Sequence, residues 1–131
     1  VCRGNWSRQE DVLLSGSYEP LLPYFARMRV DELVLEYATP RAGPESLLAA
    51  LPRAQRIGFG AVNPRTEELE EPAAIAARVR ALEERIGPGR LGLNPDCGFG
   101  TFAERPVSRV EVACAKLRAL SRAAELLRAG R

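Results

Sequence analysis

The chain of 131 residues contains no histidine and only one lysine, Lys116. Without histidine, this chain alone cannot run a serine–histidine or cysteine–histidine mechanism, and it cannot bind a metal through imidazole. The sequence also has no run close to the roughly 20 apolar residues that cross a bilayer. We therefore expect neither histidine chemistry nor a membrane-spanning segment within these residues.

The chain also has no large excess of positive or negative charge, because its 19 basic and 17 acidic residues leave a net charge of only +2. The two signs alternate through the chain, so the basic surface that a nucleic acid requires is missing. The three cysteines are an odd number and have no small disulfide framework around them. Such cysteines predict free, buried or metal-bound thiols in a reducing compartment, here the cytoplasm.

Short apolar segments at 29–37, 56–62 and 90–93 are typical of buried strands, and each is followed by a polar turn. A fourth strand is implied by Val1 and Cys2, which would be its last residues. Helical stretches separate these segments in units of about 30 residues, a pattern of successive βαβ crossovers and a parallel sheet. The pattern fits either half of a (β/α)₈ barrel or a small doubly wound sheet.

Three helices are predicted after the strand segment 29–37. One begins near Pro44, and a second begins after Glu71 and ends at Gly87. The last has Ser108 as its N-cap, with Glu111 three residues later in a capping-box pattern. On this last helix we expect Leu117 in the apolar stripe and Cys114 in the core.

Functional groups of parallel α/β folds collect at the carboxyl ends of strands, since the loops there face one crevice. The residues at these ends are Cys2; Glu36; Asn63 and Arg65; Asp96 and Cys97. Two thiols and one carboxylate are ligands that zinc accepts. Each also has an ordinary structural explanation: Cys97 as a small buried turn residue, and Glu36 as the partner of an arginine.

Three segments resemble the C-terminal catalytic barrel of cobalamin-independent methionine synthases and their shorter thiol-alkylating relatives. They are Val-Cys-Arg-Gly-Asn-Trp at 1–6, Leu-Glu-Tyr at 35–37 and Leu-Asn-Pro-Asp-Cys-Gly-Phe at 93–99. The Asn-Pro-Asp-Cys-Gly turn is the most specific of them. The resemblance runs over essentially the whole sequence and implies an α/β fold, the C-terminal half of a (β/α)₈ TIM barrel with about four parallel strands.

The resemblance further implies that residues 1–131 are a single partial domain. In this family zinc is held by a His-x-Cys pair, a glutamate at a strand end and the cysteine of the Asn-Pro-Asp-Cys-Gly turn. Cys2, Glu36 and Cys97 match three of these ligands, and the histidine would stand two positions before Cys2. In methionine synthases the loop after the strand at 56–62 carries an Ile-His-Ser-Pro-like segment, whereas this chain has Val-Asn-Pro-Arg-Thr at 62–66 and no histidine.

The implied reaction is zinc-dependent methyl transfer from a methylated folate-type donor to the thiol of homocysteine, in methionine biosynthesis. Asp96 is the candidate acid for the departing nitrogen of the donor. Two alternatives stay open: an alkyl transferase using another thiol or electrophile (an epoxide or a methylcorrinoid), and a non-catalytic half-barrel. The expected partners are the small thiol, the methyl donor, and either a second copy of the chain or the missing N-terminal half-barrel.

Overall fold

The computed structural model of the protein describes residues 1–5, 7–9, 11–100 and 102–130. Its strands are β1 (Glu32–Glu36), β2 (Arg56–Val62) and β3 (Leu91–Pro95). Its α-helices are α1 (Leu22–Phe25), α2 (Pro72–Ile86) and α3 (Val110–Ala129). Short 3₁₀ helices cover Glu19–Leu21, Pro40–Ala42 and Glu45–Ala50.

The three strands form one parallel sheet in the order β1-β2-β3. Leu35 of β1 pairs with Phe59 of β2, and Phe59 pairs with Leu93 of β3. The register is irregular near the end of β2, between Gly60 and Val62. All three strands therefore end at the same edge of the sheet, which we call the carboxyl edge.

One face of the sheet carries the hydrophobic core. Leu33 and Leu35 of β1 are buried there with Ile57 and Phe59 of β2. Helix α2 packs against α3 and the Glu45–Ala50 helix, and α3 contacts β2 and β3. Alternation along β1 points Val34 to the other face, where its side chain stays 47% exposed.

The predicted parallel α/β arrangement is confirmed. The segments 29–37 and 56–62 contain β1 and β2, whereas β3 begins within 90–93 and continues two residues beyond it, to Pro95. Val1 and Cys2 are not part of a strand, but they run beside β1, and the amino group of Val1 donates to the carbonyl of Val34.

Helix α2 begins at Pro72 and ends before Gly87, as predicted; Gly87 has a φ of 95°, which glycine adopts without strain. The start of α3 was predicted wrongly. Its N-cap is Arg109, and no side chain caps the helix, so Ser108 does not form a capping box.

Two buried positions of α3 were also predicted wrongly. Cys114 and Leu117 are exposed, whereas the wholly buried position of that turn is Lys116. The face of α3 that carries Lys116 is turned inward instead, because Lys116 bonds the segment after β2. Within the described ranges, no helix has the length and apolar character needed to cross a membrane.

Candidate metal centre

The structure brings Cys2, Glu36 and Cys97 together at the carboxyl edge. The two sulfur atoms lie 3.3 Å apart, and the thiol of Cys97 is also 3.3 Å from Oε1 of Glu36. One ligand atom from each residue lies within 4.8 Å of the others. Residues separated by up to 95 positions therefore present two sulfurs and one oxygen to a common point.

Strand order explains the convergence. Glu36 is the last residue of β1, and Cys97 follows the end of β3 by two residues. Parallel strands bring both ends to one edge. Cys2 joins them because Val1 is bonded to β1 and because the hydroxyl of Tyr18 donates to the Val1 carbonyl at 3.2 Å.

Glu36 is the most enclosed of the three, with a residue exposure of 3%. Its Oε1 accepts the backbone N–H of Arg3 at 2.9 Å and faces the Cys97 thiol. Its Oε2 accepts from Nη2 of Arg41 at 3.2 Å. The backbone N–H of Glu36 donates to the Tyr18 hydroxyl, so hydrogen bonds hold both the backbone and the carboxylate of this residue.

The electrostatics of the cluster disfavour a thiolate when no cation is present. Burial raises the pKa of Cys97 above its usual range, and the hydrogen bonds with Cys2 and Glu36 raise it further. A divalent cation among these atoms would reverse that effect, because a coordinating thiol is deprotonated outright. Two sulfurs and one carboxylate oxygen at this spacing suit zinc, whose bonds to sulfur are about 2.3 Å.

Asp96 lies next to Cys97 but is turned toward the backbone. Its Oδ1 accepts the N–H groups of Tyr37 and Ala38, each at 2.9 Å, so it ties the segment after β1 to the end of β3. Burial raises the pKa of Asp96 to about 7, despite the two amide bonds that act in the opposite direction. Gly60 makes room for it, because a Cβ there would overlap Asp96 Oδ1.

The loop after β2 is held separately from the cluster. The N–H of Asn63 donates to Oε1 of Glu70 at 2.8 Å, and Asn63 Oδ1 accepts the N–H of Arg65 at 3.0 Å. Lys116, with none of its side chain exposed, donates to Oε2 of Glu70 at 2.8 Å and to the carbonyl of Glu68. The structure thus places Asn63 and Arg65 at the same edge, but outside the group of three ligand atoms.

Two residues of this region, Arg41 and Lys116, were not predicted from the sequence. Arg41 reaches Glu36 from the 3₁₀ turn that follows β1, and nothing in the local sequence marks it. Lys116 had one signal, since it is the only lysine among 19 basic residues. Trp6, part of the first resembling segment, lies outside the described residues.

The fold and the cluster define a class: a parallel α/β protein with a thiol–carboxylate centre at the carboxyl edge of its sheet. The family described as "cobalamin-independent synthase, catalytic domain" matches residues 13–125. The chain belongs to this family of cobalamin-independent methionine synthase catalytic domains.

Individual relatives agree with that assignment. The chain is 34% identical to the methionine synthase of Thermococcus kodakarensis over 89 residues, which are 68% of this chain and 26% of that protein. It is 30% identical to the uncharacterized protein YxjG of Bacillus subtilis over 120 residues, 90% of this chain and 31% of the relative.

A solved structure matches as well. The B12-independent methionine synthase from Shewanella sp. W3-18-1, in complex with selenomethionine, superposes with a TM-score of 0.73 at 25% identity. The match covers 86% of this chain and 31% of that chain. It confirms the predicted fold class, part of a TIM barrel rather than a doubly wound sheet. The chain spans between a quarter and a third of the length of these relatives.

Proposed function

We propose that this chain carries part of the catalytic site of a zinc-dependent methyltransferase, which transfers a methyl group from a folate-type donor to homocysteine. Cys2, Glu36 and Cys97 would hold the zinc. The observation that supports this most strongly is the presence of all three ligand atoms within 4.8 Å of one another. Residues 1–131 would then be one partial domain of a longer barrel.

When bound, zinc lowers the pKa of a coordinated thiol and so keeps a substrate sulfur nucleophilic at neutral pH. The chain's own residues prepare the place for it. Arg3 and Arg41 orient the carboxylate of Glu36 through a backbone N–H and a guanidinium, respectively. A reducing compartment such as the cytoplasm suits this arrangement, because thiols 3.3 Å apart are otherwise open to oxidation.

In the proposed reaction a sulfur–carbon bond forms, the nitrogen–carbon bond of the donor breaks, and the departing nitrogen takes up a proton. The chain has no histidine to supply that proton. Asp96 stays our candidate acid on account of its place beside Cys97. Its two amide bonds also support a structural role, in which it holds the residues after Glu36.

Zinc analysis of the purified chain tests this proposal. We expect about one equivalent of zinc in the unaltered chain, and at least about a tenfold loss of zinc affinity in Cys97→Ser, because a ligand is removed. Cys114→Ser is the matched control, since Cys114 is an exposed thiol on α3. Equal zinc affinity of all three proteins would contradict the proposal.

A second candidate function is association of the half-barrel with a complementary partner. It is favoured by Val34, the middle residue of β1, which is 47% exposed on the face opposite the core, and by the unpaired outer edge of β3 among the described residues. Unpaired strand edges invite pairing with another chain. Light scattering tests this candidate: a monomer that unfolds cooperatively would contradict it.

A further inference from the structure

The carboxylate of Glu36 presents only one of its oxygens to the thiols. Oε1 lies 3.3 Å from the Cys97 sulfur, whereas Oε2 is taken by Nη2 of Arg41 at 3.2 Å. The carboxylate therefore cannot turn to offer both oxygens without losing the guanidinium. Arg41 fixes which oxygen faces the cluster.

The Glu36–Arg41 ion pair is well shielded from water. The side chain of Glu36 is 3% exposed and that of Arg41 is 13% exposed. A charge at this depth is costly unless it is paired, so a lone Glu36 carboxylate would be poorly tolerated. Once the two thiols were deprotonated, three negative charges would share this site. The Arg41 guanidinium brings a positive charge into direct contact with one of the three ligand side chains, Glu36.

Arg41 is itself held in place by contacts that leave little freedom. Its Nη2 also donates to Oδ1 of Asn5 at 2.9 Å, and its backbone carbonyl accepts from the Arg3 guanidinium at 2.9 Å. It lies in the 3₁₀ turn Pro40–Ala42, directly after β1. One guanidinium thus links the N-terminal segment that carries Cys2 to the strand end that carries Glu36.

We propose that Arg41 is a positioning residue for the metal centre, which orients the Glu36 carboxylate and compensates the negative charge that the ligands bring together. This inference rests on the proposed function, because it takes Glu36 as a ligand. Arg41 itself contacts neither metal nor substrate; it acts through Glu36.

The test is the zinc affinity of the full 131-residue chain, measured by competition with a chromophoric chelator. We expect Arg41→Gln to lower the affinity about 10- to 100-fold, the usual cost of removing a group that orients a metal ligand. Arg41→Lys keeps the charge but not the planar fork. It should lose affinity by a smaller factor than Arg41→Gln.

A double variant separates positioning from general damage. If Arg41 acts through Glu36, then Arg41→Gln added to Glu36→Gln should change the affinity by less than about threefold, because the two effects are not independent. The cobalt-loaded Arg41→Gln protein should keep its thiolate-to-cobalt absorption, since both sulfurs remain. Loss of that absorption would instead indicate collapse of the site and would overturn the positioning role.

Arg90→Gln is the matched control, because the Arg90 guanidinium is also held by several hydrogen bonds, in its case to backbone carbonyls, but lies at the opposite edge of the sheet. Its zinc affinity should stay close to that of the unaltered chain. If Arg41→Gln and Arg41→Lys bind zinc as tightly as the unaltered chain, the positioning role is wrong and the metal centre stands. If the unaltered chain binds no zinc, both proposals fail. Should Arg41→Gln not fold, Arg41→Lys alone carries the comparison.

Discussion

The two edges of the sheet use their polar side chains in different ways. At the edge where the strands begin, Arg90 donates to the carbonyls of Pro52, Gln55 and Ile86. The side-chain amide of Gln55 likewise donates to the carbonyls of Phe25 and Met28. These bonds to backbone carbonyls close the loops at that edge.

At the carboxyl edge, thiols and carboxylates are gathered close together. Two thiols lie in contact, and a buried carboxylate faces one of them. Burial raises the pKa of Asp96 to about 7 close by. Buried groups whose pKa values are shifted in this way are typical of functional sites. The comparison teaches that the edge where the strands begin is closed by bonds to backbone carbonyls, whereas the carboxyl edge also carries the ionisable side chains of the candidate site.

The largest effect on stability is expected when a side chain is introduced into the space that Asp96 occupies. In Gly60→Ala the new Cβ would overlap Asp96 Oδ1 and lie 2.8 Å from the Leu35 carbonyl. We expect a loss of about 3 kcal/mol in the free energy of unfolding, because the crowded atoms are held by backbone bonds. Denaturant titration measures it, and zinc affinity should fall as well.

Gly98→Ala is the matched control for that variant. Gly98 lies on the same edge, one residue after Cys97, and a Cβ there would meet nothing within 4 Å. Its stability should stay within about 0.5 kcal/mol of the unaltered chain. Equal effects of Gly60→Ala and Gly98→Ala would show that the space beside Asp96 is not tightly filled.

A smaller effect is expected at the opposite edge. Arg90→Met removes the guanidinium that bonds the carbonyls of Pro52 and Gln55, and should lower the free energy of unfolding by about 2 kcal/mol. Thermal unfolding of this variant measures the loss of stability, and zinc titration of the same protein should show an unchanged zinc affinity. A clear loss of zinc affinity without a loss of stability would contradict the division between the edges.

The parts of the fold that were predicted correctly are those with local signals. Helix α2 is bounded by Pro72 and Gly87, whose backbone preferences act at the helix ends themselves. The start and the buried face of α3 were predicted wrongly. Lys116 is buried because its ammonium group donates to the Glu68 carbonyl and to the Glu70 carboxylate, which lie in a loop distant in sequence. The spacing of apolar residues in the helix sequence cannot predict a contact with a loop so far away in the chain.

The candidate site divides in the same way. Glu36 and Cys97 stand at or just after strand ends, so a parallel sheet alone predicts that they share one edge. The assistance of Arg41 and Tyr18 depends on how the chain turns after β1 and where the N-terminal segment crosses it. Those paths are set by tertiary contacts, which a single sequence does not reveal.

The most direct test of the central claim is X-ray absorption at the zinc edge of the zinc-loaded chain. We predict a first shell with two sulfur atoms at about 2.3 Å and oxygen or nitrogen at about 2.0–2.1 Å. A shell made only of oxygen and nitrogen would contradict a centre formed by Cys2, Glu36 and Cys97.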